Sequence, residues 1–170
     1  MRLILPSLVY KKAYLNALEE VKHETGRTQL NKPEVNESFE EFVKRLNDNA
    51  KGINLSRGYV PDTMFWLIDK KELIGRVDIR HRLTKSLLRH GGHIGYYICP
   101  KKRKMGYGRK ILKLSLLKAK RLGLSRVLLT CDDDNIGSRK IIEANGGVLK
   151  NIIRPEKDKP KTRRYWIRKI

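Results

Sequence analysis

Arg103-Lys104-Met105-Gly106-Tyr107-Gly108 stands between an apolar run, Ile94 to Ile98 closed by Cys99-Pro100, and a long amphipathic segment that begins at Tyr107. This order of residue types describes a phosphate cradle. A strand that stops at Pro100, four consecutive cations from Lys101 to Lys104, and two glycines opening a helix aim backbone N–H groups and a helix-dipole positive end at an anion. Spacing narrows the choice of anion. A dinucleotide fingerprint needs a third glycine where Ile111 stands, with a ribose-binding acid about 20 residues on, and a Walker loop needs a Gly-Lys-Ser/Thr that is absent. Both nucleotide readings fail. What remains is a basic Arg-x-x-Gly-x-Gly turn that either holds another pyrophosphate or simply caps a helix.

Downstream, the apolar period predicts a helix from Tyr107 to Leu122 stopped by Gly123, its core stripe formed by Ile111, Leu112, Ser115, Ala119 and Leu122. Arg109, Lys110 and Lys113 then face outward. Ser125 to Cys131 reads as a short buried strand. Asp132-Asp133-Asp134-Asn135-Ile136-Gly137-Ser138 follows, then a helical stretch to Ala144 closed by Asn145-Gly146-Gly147. Upstream, a first strand ends at Pro6, and a helix covers Tyr10 to Lys22 with Tyr14, Leu15, Leu18 and Val21 inward, ending near Gly26. A second helix opens at Ser38 with Glu41 in a capping box and Phe39, Phe42 and Leu46 buried. Thr63 to Ile68 and Leu73 to Leu83 read as a hairpin, Arg82 to Gly92 as a basic loop, His93 to Cys99 as a fourth strand, and Val148 to Ile153 and Arg164 to Ile170 as the last two.

Strand, cradle, helix, strand, Asn-x-x-Ser helix and Gly-Gly, in this order, resemble the cofactor half of the GNAT superfamily of N-acetyltransferases over residues 62 to 150, and Gly91 to Tyr96 resembles a bacterial subgroup of it. The resemblance implies one α/β domain over residues 1–170. Its central sheet is mixed and mostly antiparallel, with about seven strands flanked by about four helices and splayed between the fourth and fifth strands. It implies acetyl-coenzyme A as co-substrate, with phosphates at Arg103, Lys104, Met105, Gly106, Tyr107, Gly108 and Arg109. Asn135 would reach the pantetheine arm with Ser138 nearby, and a backbone N–H at Ile98 or Cys99 would polarise the thioester carbonyl. The implied activity is acetyl transfer to an amine, on a small molecule or a polypeptide. A basic module of the same fold, contacting RNA or a ribosome with vestigial catalysis, is the rival reading. One position departs from the pattern: Ile142 stands where many relatives carry a Tyr that protonates the departing thiolate. Either Tyr96, Tyr97 or Tyr107 replaces it, or the thiolate leaves unaided, its pKa being about 8.5.

Taking the proton from an acceptor amine calls for a base near working pH, and histidine suits that best. Of His81, His90 and His93, the last starts the fourth strand and shares a face with Gly95, Tyr97 and Cys99 by alternation, which makes it the first candidate; a structural hydrogen bond is its plain alternative. Asp78 is a second candidate, although Arg76 and Arg80 on its face suggest a surface ion-pair ladder of ~1 kcal/mol or less. His81 alternates with Val77 and Ile79 and reads as core. Asp132, Asp133 and Asp134 read as helix caps.

Composition sets the outer limits. A chain of 170 residues with 39% hydrophobic and 34% charged residues supports one core and no membrane span. Its first residues are too briefly apolar for a signal peptide, and two cysteines at strand ends read as buried thiols, so a cytoplasmic protein without metal, monomeric or homodimeric, is expected. The net charge is +21, with 24 Lys and Arg against 6 Asp and Glu in residues 85–170 and 8 against 8 in residues 1–50. Coenzyme phosphates need only a few of those cations; the rest, including the run from Lys157 to Arg164, are solvated or meet an anionic partner. Glu19, Glu20, Glu24, Glu34, Glu37, Glu40 and Glu41 are expected to form an acidic groove that admits the amine between the first two helices and the fourth strand.

Overall fold

The computed structural model describes residues 1–24, 30–154 and 160–170. Strands β1 (Arg2–Ile4), β2 (Asp62–Asp69), β3 (Glu72–Arg80) and β4 (Ile94–Ile98) form one antiparallel sheet in the order β1-β2-β3-β4. β5 (Val127–Asp132), β6 (Val148–Ile153) and β7 (Thr162–Ile167) form a second, in the order β5-β7-β6, again antiparallel. The helices are α1 (Lys11–Glu20), α2 (Phe39–Asn49), α3 (Lys85–Arg89), α4 (Tyr107–Arg121) and α5 (Ile136–Glu143). The expected mixed sheet is thus two antiparallel sheets. No ladder joins β4 to β5 among the described residues, so the divide falls where the splay was expected.

One stitch closes that divide at its base. His93 N–H donates to Leu128 O at 2.7 Å, and Leu128 N–H donates to His93 Nδ1 at 2.9 Å. Gly92 makes the approach possible: its φ is +62°, and a Cβ there would lie 2.4 Å from Leu128 O. Beyond the stitch, β4 presents an unpaired edge towards α5.

Two apolar layers cover the first sheet. Val77, Ile79, Ile94 and Ile98 pack on Ile111, Leu112 and Ala119 of α4 together with Val127, Leu129 and Tyr165 of the second sheet. The opposite face carries Trp66 against Tyr14 at 4.3 Å between ring centroids, with Phe39 and Phe42 around them. Leu15 is exposed, and Ala17 takes the inward position expected of it. α2 starts as predicted, with the reciprocal Ser38–Glu41 capping box and Phe39, Phe42, Val43 and Leu46 buried. Gly26, the expected end of α1, lies outside the described residues.

The β2–β3 hairpin turns through Lys70 and Lys71, both with positive φ (45° and 66°), which matches the twist of a two-residue connection. β3 ends at Arg80, earlier than expected: His81 N–H still donates to Pro61 O, its next partner in register, but Pro61 has no N–H to return. The expected basic loop after it holds α3, capped by Thr84, whose hydroxyl accepts from Leu87 N–H.

Candidate active site

The cradle is a tight turn ahead of α4. Pro100–Lys102 form one 3-10 turn, Lys104 has φ +59°, and Gly106 caps α4 with φ +79°. No atom lies within 4 Å of where a Gly106 Cβ would stand. The backbone N–H groups of residues 104–109 meet no acceptor among the described residues. Free N–H groups at a helix start, with open space above a glycine, fit a pyrophosphate. Lys104, Met105 and Arg109 are exposed around it.

Gly108 has a different task from the one expected. A Cβ there would stand 2.4 Å from Ile141 Cδ1, so this glycine lets α5 lie close to α4 instead of leaving room for a phosphate. Arg103 is also committed elsewhere. Its Nε donates to Ile98 O at 3.0 Å, its Nη2 meets Glu24 Oε1 at 2.5 Å, and its guanidinium lies 5.4 Å from the Tyr97 ring centroid. Tyr107 donates its hydroxyl to Asp69, which also pairs with the chain's amino group, so this phenol faces away from the divide.

β4 supplies the edge. Cys99 N–H donates to Ile74 O at 3.0 Å, and Arg80 N–H donates to His93 O, so the odd-numbered residues face β3. By alternation Ile98 and Tyr96 turn their backbone groups into the divide. Of the two expected positions, Cys99 is therefore spent on the sheet, whereas Ile98 N–H lies at the open edge. Across from it Asn135 caps α5, its Oδ1 accepting from Ser138 N–H at 2.9 Å. Asn135 holds the cap expected of the preceding aspartates; Asp133 instead takes Arg163 at 2.5 Å. Ser138 Oγ lies 2.8 Å from Tyr96 Oη. Burial pushes the Tyr96 pKa up to about 12, so the phenol keeps its proton at neutral pH.

The third side holds the ionisable groups. His93 is buried, its Nδ1 is occupied by Leu128 N–H, and it packs edge-on to Trp166 at 6.2 Å. Burial first, and then Arg80 and Arg126, hold its pKa down to about 4. Asp78 is buried between Arg76 and Arg80, the latter at 3.2 Å, so the ladder exists but is no surface feature. His81 Nε2 lies 2.8 Å from Thr63 Oγ1 and His90 Nδ1 lies 3.0 Å from Thr162 Oγ1. Tyr97 donates its hydroxyl to Glu24, and burial raises its pKa, as does that bond. Ile142 is fully buried.

Glu24 is the residue whose position the sequence did not disclose. Arg103 bridges it to the Ile98 carbonyl, which places a carboxylate beside the open edge of β4. Glu20 reaches Lys101, 3.3 Å from its backbone N–H. The remaining acids belong to other surfaces: Glu40 pairs with Lys11, Glu37 with Arg45, Glu19 with Lys22, and Glu41 closes the capping box. The single acidic groove expected from the sequence is thus divided, with only Glu20 and Glu24 on the β4 side.

The model of the acetyltransferase (GNAT) domain family matches residues 9–148, and the chain belongs to this family. It is an N-acetyltransferase of the GNAT fold, and acetyl-coenzyme A is its acetyl donor. Among solved structures it is similar to the ribosomal-protein-S5-alanine acetyltransferase of Vibrio fischeri, at 18% identity over 99% of this chain and 91% of that one, with a TM-score of 0.69. The acetyltransferase of Salmonella typhimurium that modifies the N-terminal serine of ribosomal protein L7/L12 has 18% identity over 97% and 92%, with a TM-score of 0.63. A microcin C7 self-immunity acetyltransferase, MccE, solved with acetyl-CoA and AMP, has 15% identity over 97% and 91%, also at 0.63. No curated protein matches the sequence.

Proposed function

We propose that this enzyme acetylates the amino terminus of a polypeptide, with the reaction centred on the Ile98 edge of β4. The observation that carries the reading is that the open edge of β4, with its Ile98 N–H, is flanked on one face by the Tyr96–Ser138 hydroxyl pair and on the other by the Glu24 carboxylate held by Tyr97 and Arg103. The phosphates of the donor are held by the N–H groups of residues 104–109 and by Lys104. The pantetheine arm enters beside Asn135 and Ser138. Ile98 N–H then stabilises the negative charge that develops on the thioester oxygen when the amine attacks. Glu24 takes the amine proton, directly or through water.

Tyr96 and Ser138 give the released thiolate a hydrogen-bond donor. Burial keeps the Tyr96 phenol protonated, so with Ser138 Oγ at 2.8 Å the pair can hydrogen-bond the departing thiolate, which Ile142 cannot. His93 serves in this reading as a joint between sheets, since its ring is buried and its Nδ1 is occupied by Leu128 N–H. The polypeptide acceptor draws support from the two ribosomal-protein acetyltransferases of similar fold. Acetyl-coenzyme A-dependent thiol release, measured with an N-terminal peptide panel beside polyamines and aminoglycosides, tests it. Peptides are expected to turn over, with kcat lowered about 100-fold in Glu24→Gln and Tyr96→Phe. Turnover of polyamines alone would refute the acceptor, and unchanged kcat in both variants the assignment of roles.

A further inference from the structure

We propose that the outward face of α4 is an RNA-binding surface. Six residues of this helix are exposed: Arg109, Lys110, Lys113, Leu117, Lys120 and Arg121. At 100° per residue they fall on one arc of about 120°, opposite the buried stripe of Ile111, Leu112, Ser115 and Ala119. Every exposed position but one is a cation, and α4 contains no acid.

Elsewhere in the described residues part of the cations are neutralised, while others, such as Lys12, Lys70, Lys85, Arg126 and Lys140, form no ion pair. Lys11, Lys22, Lys44, Arg45, Arg76, Arg80, Lys101, Lys102 and Arg103 each meet a carboxylate. Not one of the five cations on the α4 arc does. A helix adapted only to solvent would set Glu at i±4 to such residues; Arg109–Lys113 and Lys110–Lys113 instead repel along the face. Arg109 and Lys110 also oppose the positive end of the helix dipole. A coenzyme pyrophosphate at Gly106 offsets these two. Lys113, Lys120 and Arg121 lie about 10 to 22 Å further along the axis, where that ligand's pyrophosphate does not extend.

A row of charges on a convex helix fits a polymer of phosphates. A bilayer would ask for an apolar face, and the apolar face of α4 is inside the protein, leaving Leu117 (55% exposed) alone on the arc. The arc has no aromatic side chain on which a base could stack, and its cations stand on a convex face, so the contact is chiefly to the phosphate backbone. The choice of RNA over DNA rests on the polypeptide-acceptor reading above, which puts the enzyme beside nascent or ribosomal chains; the surface itself does not depend on it.

The test is fluorescence anisotropy with a labelled single-stranded RNA of about 20 nucleotides, titrated from about 50 to 200 mM KCl, on wild type and on the K113Q/K120Q/R121Q variant. These substitutions keep helix propensity and relieve repulsion, and coenzyme A affinity by calorimetry should stay unchanged as the control for folding. The slope of log K against log salt is expected to become less negative by about 2 in the variant. An unchanged slope overturns the proposal. So does tighter binding of wild type to single-stranded DNA of equal length, or loss in the variant of phosphatidylserine-vesicle binding without loss of RNA binding. If the slope changes while no peptide is acetylated, the acceptor reading fails and this surface stands.

Discussion

His93 should act on stability through pH and leave the rate of acetyl transfer without its signature. The folded protein holds its pKa at about 4, whereas the unfolded chain returns it to about 6.5. The unfolded state therefore binds the proton more readily, and stability rises with pH. The contribution is complete above pH 6.5 and is lost as pH falls towards 4. From these two values the loss is about 2 kcal/mol at pH 5 and approaches roughly 3 kcal/mol at the limit. His93→Asn removes the titrating ring but keeps a side-chain acceptor near Leu128 N–H. Urea unfolding of both proteins at pH 7.5 and pH 5 isolates the effect, because other titrating groups act alike in the two. The stability of wild type relative to the variant should fall by about 2 kcal/mol between those pH values. An equal difference at both would refute the linkage, and a pH–rate inflection near 6.5 that vanishes in the variant would return His93 to the role of base.

The two glycines of the cradle should separate. Gly106→Val costs about 1–2 kcal/mol through its positive φ and abolishes coenzyme A binding in calorimetry, whereas Gly108→Val acts by overpacking Ile141, costing about 1–3 kcal/mol in urea unfolding. Ile142→Tyr should lower stability by about 1–3 kcal/mol without raising kcat, since Ile142 is fully buried and a Cβ on neighbouring Gly147 would already lie 2.4 Å from its Cγ2. Ser38→Ala should cost about 1 kcal/mol by removing one half of the capping box, with coenzyme affinity unchanged.

The sequence disclosed what local chemistry determines. Ser38 and Glu41 announce a capping box three residues apart, Gly123 ends α4, and the period of Ile111, Leu112, Ser115 and Ala119 gives its buried side. The order of elements around Arg103 to Gly108 was enough to suggest the family. Partners distant in the chain were beyond reach. Glu24 and Arg103 are 79 residues apart, Tyr96 and Ser138 42, and nothing periodic links them. The short α3 was hidden for a related reason: five residues show no helical period, and only Thr84 as a cap could have marked it. Period-two alternation placed His93 beside Tyr97 and Cys99, but it could not foresee that Gly92 would bring Leu128 within reach of the imidazole.

Backbone amide chemical shifts on titration with coenzyme A test the placement of the donor most directly. The account predicts large changes at residues 104–109 and at Ile98, smaller ones at Asn135 and Ser138, and none at Cys99, whose N–H is held by Ile74 O. Changes confined to other parts of the chain, with residues 104–109 and Ile98 silent at saturation, would contradict it.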